Sequence, residues 1–174
     1  MFNSHQAYLR HAAYYRDVLS QIHELYRRGH MDGELALQQF DQERANIEMG
    51  QAQAEKHATE YDEAAAICSD YPDVAANLLD LRLHPRERIR WVQAAIAAAK
   101  RRNDLEAQAR HLNHLGLAYH KLGRSRRSLK IHRRQLSIAR KAADRRCEAT
   151  ALCNLGLAHA ALYQYADAIP LYQE

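Results

Sequence analysis

Glycine and proline are scarce, at six and three in 174 residues. A turn-rich β protein draws on both at every reversal, so that class is excluded. No apolar run approaches the 18 or so residues that would carry a helix across a bilayer. The N-terminus, MFNSHQAYLRHAAYY, lacks the apolar stretch of a signal peptide. Three cysteines, Cys68, Cys147 and Cys153, form no regular framework, which points to a reduced, cytoplasmic compartment. No G-x-x-x-x-G-K-[ST] phosphate loop occurs, and no Ser/His/Asp, Cys/His or paired-carboxylate grouping stands out. Aromatic residues other than tyrosine are few, one Trp and two Phe. The chain therefore offers no catalytic residue, and the expectation is a protein that is not an enzyme.

What is present is helix-forming material. Alanine, leucine, glutamine, arginine and glutamate dominate, and the mean hydropathy of −0.61 fits a core of small and amphipathic side chains. The net charge of +4 hides an asymmetry. Residues 1–80 carry six Lys/Arg against 14 Asp/Glu, whereas residues 101–146 carry 14 against three. Such a lengthwise dipole can guide partners or set acidic ends on basic ones in self-association, although a solvated helical surface has the same pattern.

Apolar spacing predicts a helix over 4–28 through Tyr8, Ala12, Tyr15, Val18, Leu19, Ile22, Leu25 and Tyr26. A second, capped by Asp32, runs through Leu35, Leu37, Phe40, Ala45, Ile47 and Met49 towards about His57, with Gly50 weakening or bending it. A third starts near Thr59 or Glu60, and Pro72 should kink or break it near Tyr71. Pro85 suits the first turn of the next helix, which holds Ile89, Val92, Ala95, Ile96 and Ala99. Trp91 reads as a packing residue. Asn103-Asp104, Gly123, Ser125 and Asp144 then punctuate helices over about 105–122, 125–142, 145–162 and from 165 on.

The strongest feature is a period of 40. Leu112, Leu115, Gly116, Leu117, Ala118 and Leu122 align without a gap on Leu152, Leu155, Gly156, Leu157, Ala158 and Leu162. A fixed period of this length marks stacked helical hairpins. A worn earlier copy aligns Ile89, Ile96, Ala99 and Lys100 on Leu129, Leu136, Ala139 and Arg140. The expected organisation is a helical leader or cap over 1–64, a degenerate hairpin over 65–104, a clear repeat over 105–144 and a partial one over 145–174, all in one continuous domain.

The segment NHLGLAYHKLGRSRRSLKIHRRQLSIARKAADR, continued by CNLGLAHAALYQYADAIPLYQE, resembles the tetratricopeptide repeat. Gly116 and Gly156 stand where that family needs a small residue between paired helices. Tyr119 fills its large aromatic position and Gly123 its turn glycine, while His159 and Tyr163 depart from both. Ser128 and Ala168 hold the small position of the second helix, and Arg88 breaks it in the worn copy. The resemblance implies an all-α, right-handed α-solenoid of antiparallel hairpins. Residues 10–15, 40–58 and 71–104 resemble the region behind the winged-helix segment of bacterial NB-ARC-type STAND ATPases. That resemblance implies a sensor or scaffold array, one piece of a longer signalling or defence protein whose ATPase part lies elsewhere.

The tetratricopeptide resemblance implies a concave wall of first-helix residues: Asn113, Leu117, His120 and Lys121, then Cys153 and Leu157, preceded by Asp73, Asn77 and Asp80 in the worn copy. A protein or peptide segment would lie along it. Arg126, Lys130, Arg133 and Arg134 share an outward stripe suited to an anionic partner. Nucleic acid is the alternative occupant, disfavoured because no aromatic residue offers a stacking platform. His111 and His114 share a helical face, but no further ligand type accompanies them, so neither metal nor cofactor is expected. Cys147 and Cys153 face different ways on one helix and are not expected to pair. No membrane contact is expected.

Overall fold

The computed structural model describes residues 4–173. Those residues form nine α-helices and no strand: α1 (Ser4–Arg27), α2 (His30–His57), α3 (Asp62–Val74), α4 (Ala76–Arg82), α5 (Pro85–Arg101), α6 (Leu105–Lys121), α7 (Ser125–Lys141), α8 (Arg145–Ala160) and α9 (Tyr165–Gln173). The all-α hairpin architecture matches the expected fold class. The helices gather into two compact units, one through Arg102 and one from Asn103.

In the first unit α1 and α2 form the principal hairpin, and α3 packs on both and on α5. Leu9, Ala12, Leu19 and Ile22 of α1 meet Ala36, Phe40, Ile47 and Ala54 of α2 in a core that also takes Tyr71, Leu78, Leu79 and Trp91. One expectation is corrected on α2. The helix starts at His30, with Gly29 before it, so Asp32 sits in its first turn and is not its cap. Its inward face runs through Gly33, Ala36, Phe40, Ile47, Gly50 and Ala54, which leaves Leu35, Ala45 and Met49 exposed. Tyr8 on α1 is likewise exposed. Gly50 does not interrupt α2; its missing side chain makes room for the Tyr71 hydroxyl, which donates 2.8 Å to the Ala12 carbonyl.

Pro72 does not end its helix where expected. Helix α3 continues to Val74, and the break falls at Ala75, whose φ/ψ of −143/39 is not helical. A helix that stops leaves carbonyls without intrahelical donors. Two side chains cover them here. His23 Nδ1 lies 2.8 Å from the Val74 carbonyl, and Arg88 Nη2 donates to the Pro72 carbonyl at 3.1 Å. Helices α3 and α4 thus lie on either side of that break. Helix α5 begins as anticipated, with Pro85 in its first turn and His84 Nδ1 accepting from the Arg86 amide at 3.2 Å.

The second unit shows the 40-residue period in backbone detail. Asn103 and Ala143 have φ of 54° and 55°. Asp104 and Asp144 then cap α6 and α8, each accepting a 2.9 Å bond from the amide three residues on, Ala107 and Cys147. Gly123 turns with φ 68°, and Tyr163 is held at φ 60° one period later. A tyrosine pays a steric penalty there that glycine does not. Ser125 is not a cap: Arg124 occupies that position, with no side-chain bond, and Ser125 is the first helical residue. Helix α8 ends at Ala160, two residues short of Leu162. Gly116 is buried against the His132 ring and Gly156 against the Tyr172 ring, positions again 40 apart. Helix α7 packs on both α6 and α8, and α9 on α8.

Candidate functional site

Helices α6 and α8 run as neighbours and leave a polar cleft of about 540 Å³ between them. Arg110, Asn113 and His114 of α6 face Arg146, Cys147 and Thr150 of α8 across it, with Gln135 and Asp144 at its floor and edge. The side-chain pattern follows from helical spacing. Positions 110, 113 and 114 share one face of α6, while Leu112, Leu115 and Ala118 take the buried face. Asn154 donates to Asn113 Oδ1 at 2.7 Å and ties the two helices together.

The floor is built from α7. His132 is buried, with Nδ1 2.8 Å from Gln135 Oε1, and Gln135 Nε2 reaches the Cys147 carbonyl at 3.5 Å. Burial pulls the His132 imidazole below its ordinary pKa, despite the Gln135 bond, so it stays neutral and serves as packing. Hydrogen bonds from Cys147 hold the Asp144 carboxyl below the ordinary carboxylate range, with the Arg110 charge adding to them. Burial, reinforced by Asp144, pushes the Cys147 thiol up to about 11. Burial pushes Cys68 up to about 12. Neither thiol is activated as a thiolate at neutral pH, and all three cysteines are free.

Of the residues singled out in the sequence, Asn113 lines this cleft. Leu117 and His120 follow it along α6 as half-buried side chains, and Lys121 is exposed at the helix end. Cys153 and Leu157 are exposed on α8. In the first unit the structure splits Asp73, Asn77 and Asp80 between two helices. Asp73 is half-buried on α3, and Asn77 and Asp80 are exposed on α4. Asp80 Oδ1 accepts from Arg88 Nε at 3.2 Å, so it is committed to an internal ion pair. Arg110, His114, Arg146 and Thr150 were missed as cleft residues. Their signal was available in the helical phase: Arg110 stands three residues before Asn113 and His114 four after Arg110, while Thr150 stands three before the repeat-mate Cys153 and Arg146 four before Thr150.

On the other side of α7 lies an apolar trough of about 730 Å³, lined by Leu129, Leu136, Leu155, Leu162 and Leu171. Arg126, Lys130 and Arg133 form one rim, and Asp167 and His159 lie on the other. Arg134 is exposed on the same helix but does not line the trough. Among the described residues, no group of three or more His, Cys, Asp or Glu side chains could hold a metal ion. His111 is buried within α6, and His114 opens into the cleft. No helix among them is long and apolar enough to cross a membrane.

The comparisons agree with this geometry. A family model for the tetratricopeptide repeat matches residues 107–174, the span of α6 to α9 that carries the cleft, the trough and the clear period. Among curated proteins nothing matches the chain. Residues 107–174 are thus similar to the tetratricopeptide repeat, a helical repeat that generally mediates protein–protein interaction, and the described residues are all-α.

Proposed function

We propose that the protein is an interaction module that takes a segment of a partner protein into the cleft between α6 and α8. The carrying observation is the cleft itself: two arginines, Arg110 and Arg146, on facing helices, with Asn113, His114 and Thr150 lining the space between them. Guanidinium groups suit carboxylates, because their forked donors match two oxygens at once. An acidic side chain or a terminal carboxylate of an extended peptide is the natural occupant. Leu117, His120, Lys121, Cys153 and Leu157 extend the contact along both helices with an apolar-to-basic wall. The Asn113–Asn154 bond fixes the two helices before a ligand arrives, which lowers the ordering cost of binding.

A peptide library displayed against the purified chain tests this. Enriched sequences should carry a carboxylate, and their affinity should fall at least tenfold, roughly 1.4 kcal/mol, with Arg110→Glu and Arg146→Glu together. His120→Glu with Lys121→Glu should weaken the same peptides less. No enrichment, or peptides that bind the Arg110/Arg146 variant equally well, would remove the reading.

The resemblance of residues 10–15, 40–58 and 71–104 to the region behind the winged helix of STAND ATPases supports a parent of that kind. In such a parent this module would serve a bacterial, cytoplasmic signalling or defence ATPase as sensor or scaffold, with nucleotide chemistry in another part. A phosphate-loop domain encoded in frame upstream would support that parentage, and its absence there would refute it.

A further inference from the structure

The cleft leaves two large surface features unused, and they complement each other. The first is the trough along α7. That helix, SRRSLKIHRRQLSIARK, holds seven cations and no acidic residue. Its exposed Arg126, Lys130, Arg133 and Arg134 have no carboxylate within ion-pair distance among the described residues. Three of them border a leucine-lined depression. A cationic rim around an apolar floor fits an amphipathic segment with acidic flanks. It does not fit a phosphate backbone alone, for which the leucines offer nothing. The neighbouring aromatic ring, Tyr119, already lies under Arg127 at 5.8 Å.

The second feature is the outer face of α2. Met31, Leu35, Gln38, Gln42, Ala45, Met49 and Ala52 are all exposed and alternate in steps of four and three, one straight seam along the helix. Met31 is 85% exposed, and Met49 and Leu35 are about half exposed. Beside this seam Glu34, Asp41, Glu48 and Glu55 stand every seventh residue, about 10.5 Å apart along the axis. On α7 the cations keep the same interval, Arg126, Arg133 and Arg140 in one row and Arg127, Arg134 and Lys141 in the next. Asp41 and Glu48 make only surface pairs, with Arg82 and Arg44, which are weak and exchangeable.

We propose that the α7 trough receives the acidic α2 face of a second copy of this chain. Met31 and Leu35 enter the leucine-lined depression, while Glu34 and Asp41 meet the Arg126/Arg133 row. The contact is heterologous, since each copy brings a different surface. Each added copy therefore leaves one trough and one α2 face open, and assembly continues past the dimer into a ring or a chain.

Light scattering on the full chain over a concentration series tests this. Mass should rise with concentration at low salt and fall back to one chain near 1 M salt, where screening acts over about 3 Å. Arg126→Gln with Arg133→Gln, and separately Glu34→Gln with Asp41→Asn, should each weaken association roughly tenfold while circular dichroism stays unchanged. The two variants mixed in equal amounts should stop at a dimer, because only one complete pair of faces remains. A wild-type chain that stays monomeric at every concentration in low salt would overturn the proposal. So would association that neither pair of substitutions alters. If instead the chain binds an oligonucleotide at low salt and loses it with Arg126→Gln and Arg133→Gln while remaining monomeric, the rim serves nucleic acid and self-docking is refuted.

Discussion

Gly116→Ala and Gly156→Ala are the same chemical change at the same repeat position, and they should have opposite effects. In a helix interior, alanine is favoured over glycine by about 1 kcal/mol. Against this stands the ring that each glycine accommodates. A Cβ on Gly116 would lie 2.8 Å from His132 Nδ1 and closer still to Cε1 and Nε2. His132 has nowhere to go: it is 1% exposed and bonded to Gln135, which itself reaches α8 through the Cys147 carbonyl. Overpacking of a fixed site costs about 1–3 kcal/mol, so after the propensity gain a net loss of up to about 2 kcal/mol is expected, or up to roughly 8 °C in Tm. At Gly156 the opposing ring belongs to Tyr172, which is 50% exposed and can swing towards solvent. There the propensity gain should survive, leaving stability unchanged or higher by up to about 1 kcal/mol. Urea unfolding followed by circular dichroism measures both. Adding His132→Ala to Gly116→Ala should remove the clash and reveal a positive coupling energy between the two sites. Equal effects of the two alanines, or no coupling with His132, would refute the packing argument.

Two further predictions concern side chains that close helix ends. Arg88→Ala should cost about 2–4 kcal/mol, from the cavity and from the Pro72 carbonyl left without a donor. Arg88→Met should cost less, because volume is kept and the 36%-exposed Asp80 can turn to water; Trp91 fluorescence during urea unfolding reports the difference. Asp144→Ala should cost about 1 kcal/mol as a lost N-cap, whereas Asp144→Asn should keep the cap. Because the folded carboxyl lies below its ordinary value of 3.8, its contribution is present above that value and lost as pH falls through the folded pKa. Acid unfolding curves should therefore show a shallower loss below pH 4 for Asp144→Asn than for the wild type.

Where the period is intact, residue identity and backbone conformation repeat together, and the two aspartate caps could be read from it. Asp104 and Asp144 were legible as caps because one side-chain oxygen answers one orphan amide. Tyr163 looked like a departure from the turn glycine, yet the backbone keeps φ 60° there. The surrounding helices impose the turn, and local propensity yields to them. The worn copy was harder for the same reason in reverse. Arg88 at a position that needs a small residue reads as damage, but its guanidinium carries a job that appears only in three dimensions. It reaches a carbonyl exposed by the break at Ala75, sixteen residues from it in sequence. Pro72 announced that break without locating it, since a proline removes its own amide and leaves the next turn intact.

Helix α2 was ambiguous in a more general way, and resolving its phase is what exposes the second surface. Periodicity arguments assign one apolar stripe to the core. Here the chain writes two. Gly33, Ala36, Phe40, Ile47, Gly50 and Ala54 pack inward, and Met31, Leu35, Ala45 and Met49 lie outward. Phase alone cannot choose between them, since Met31, Leu35 and Met49 on the outer stripe rival Phe40 and Ile47 on the inner one. The choice is made by contact distance: alanine and glycine let α1 and α3 approach closely, and the Tyr71 hydroxyl enters the space at Gly50. With that phase set, Met31, Leu35 and Met49 are left in water beside a row of carboxylates. Met31, Leu35, Ala45 and Met49 held out of the core, next to charges opposite in sign to those on α7, are the surface that the self-docking proposal puts to use.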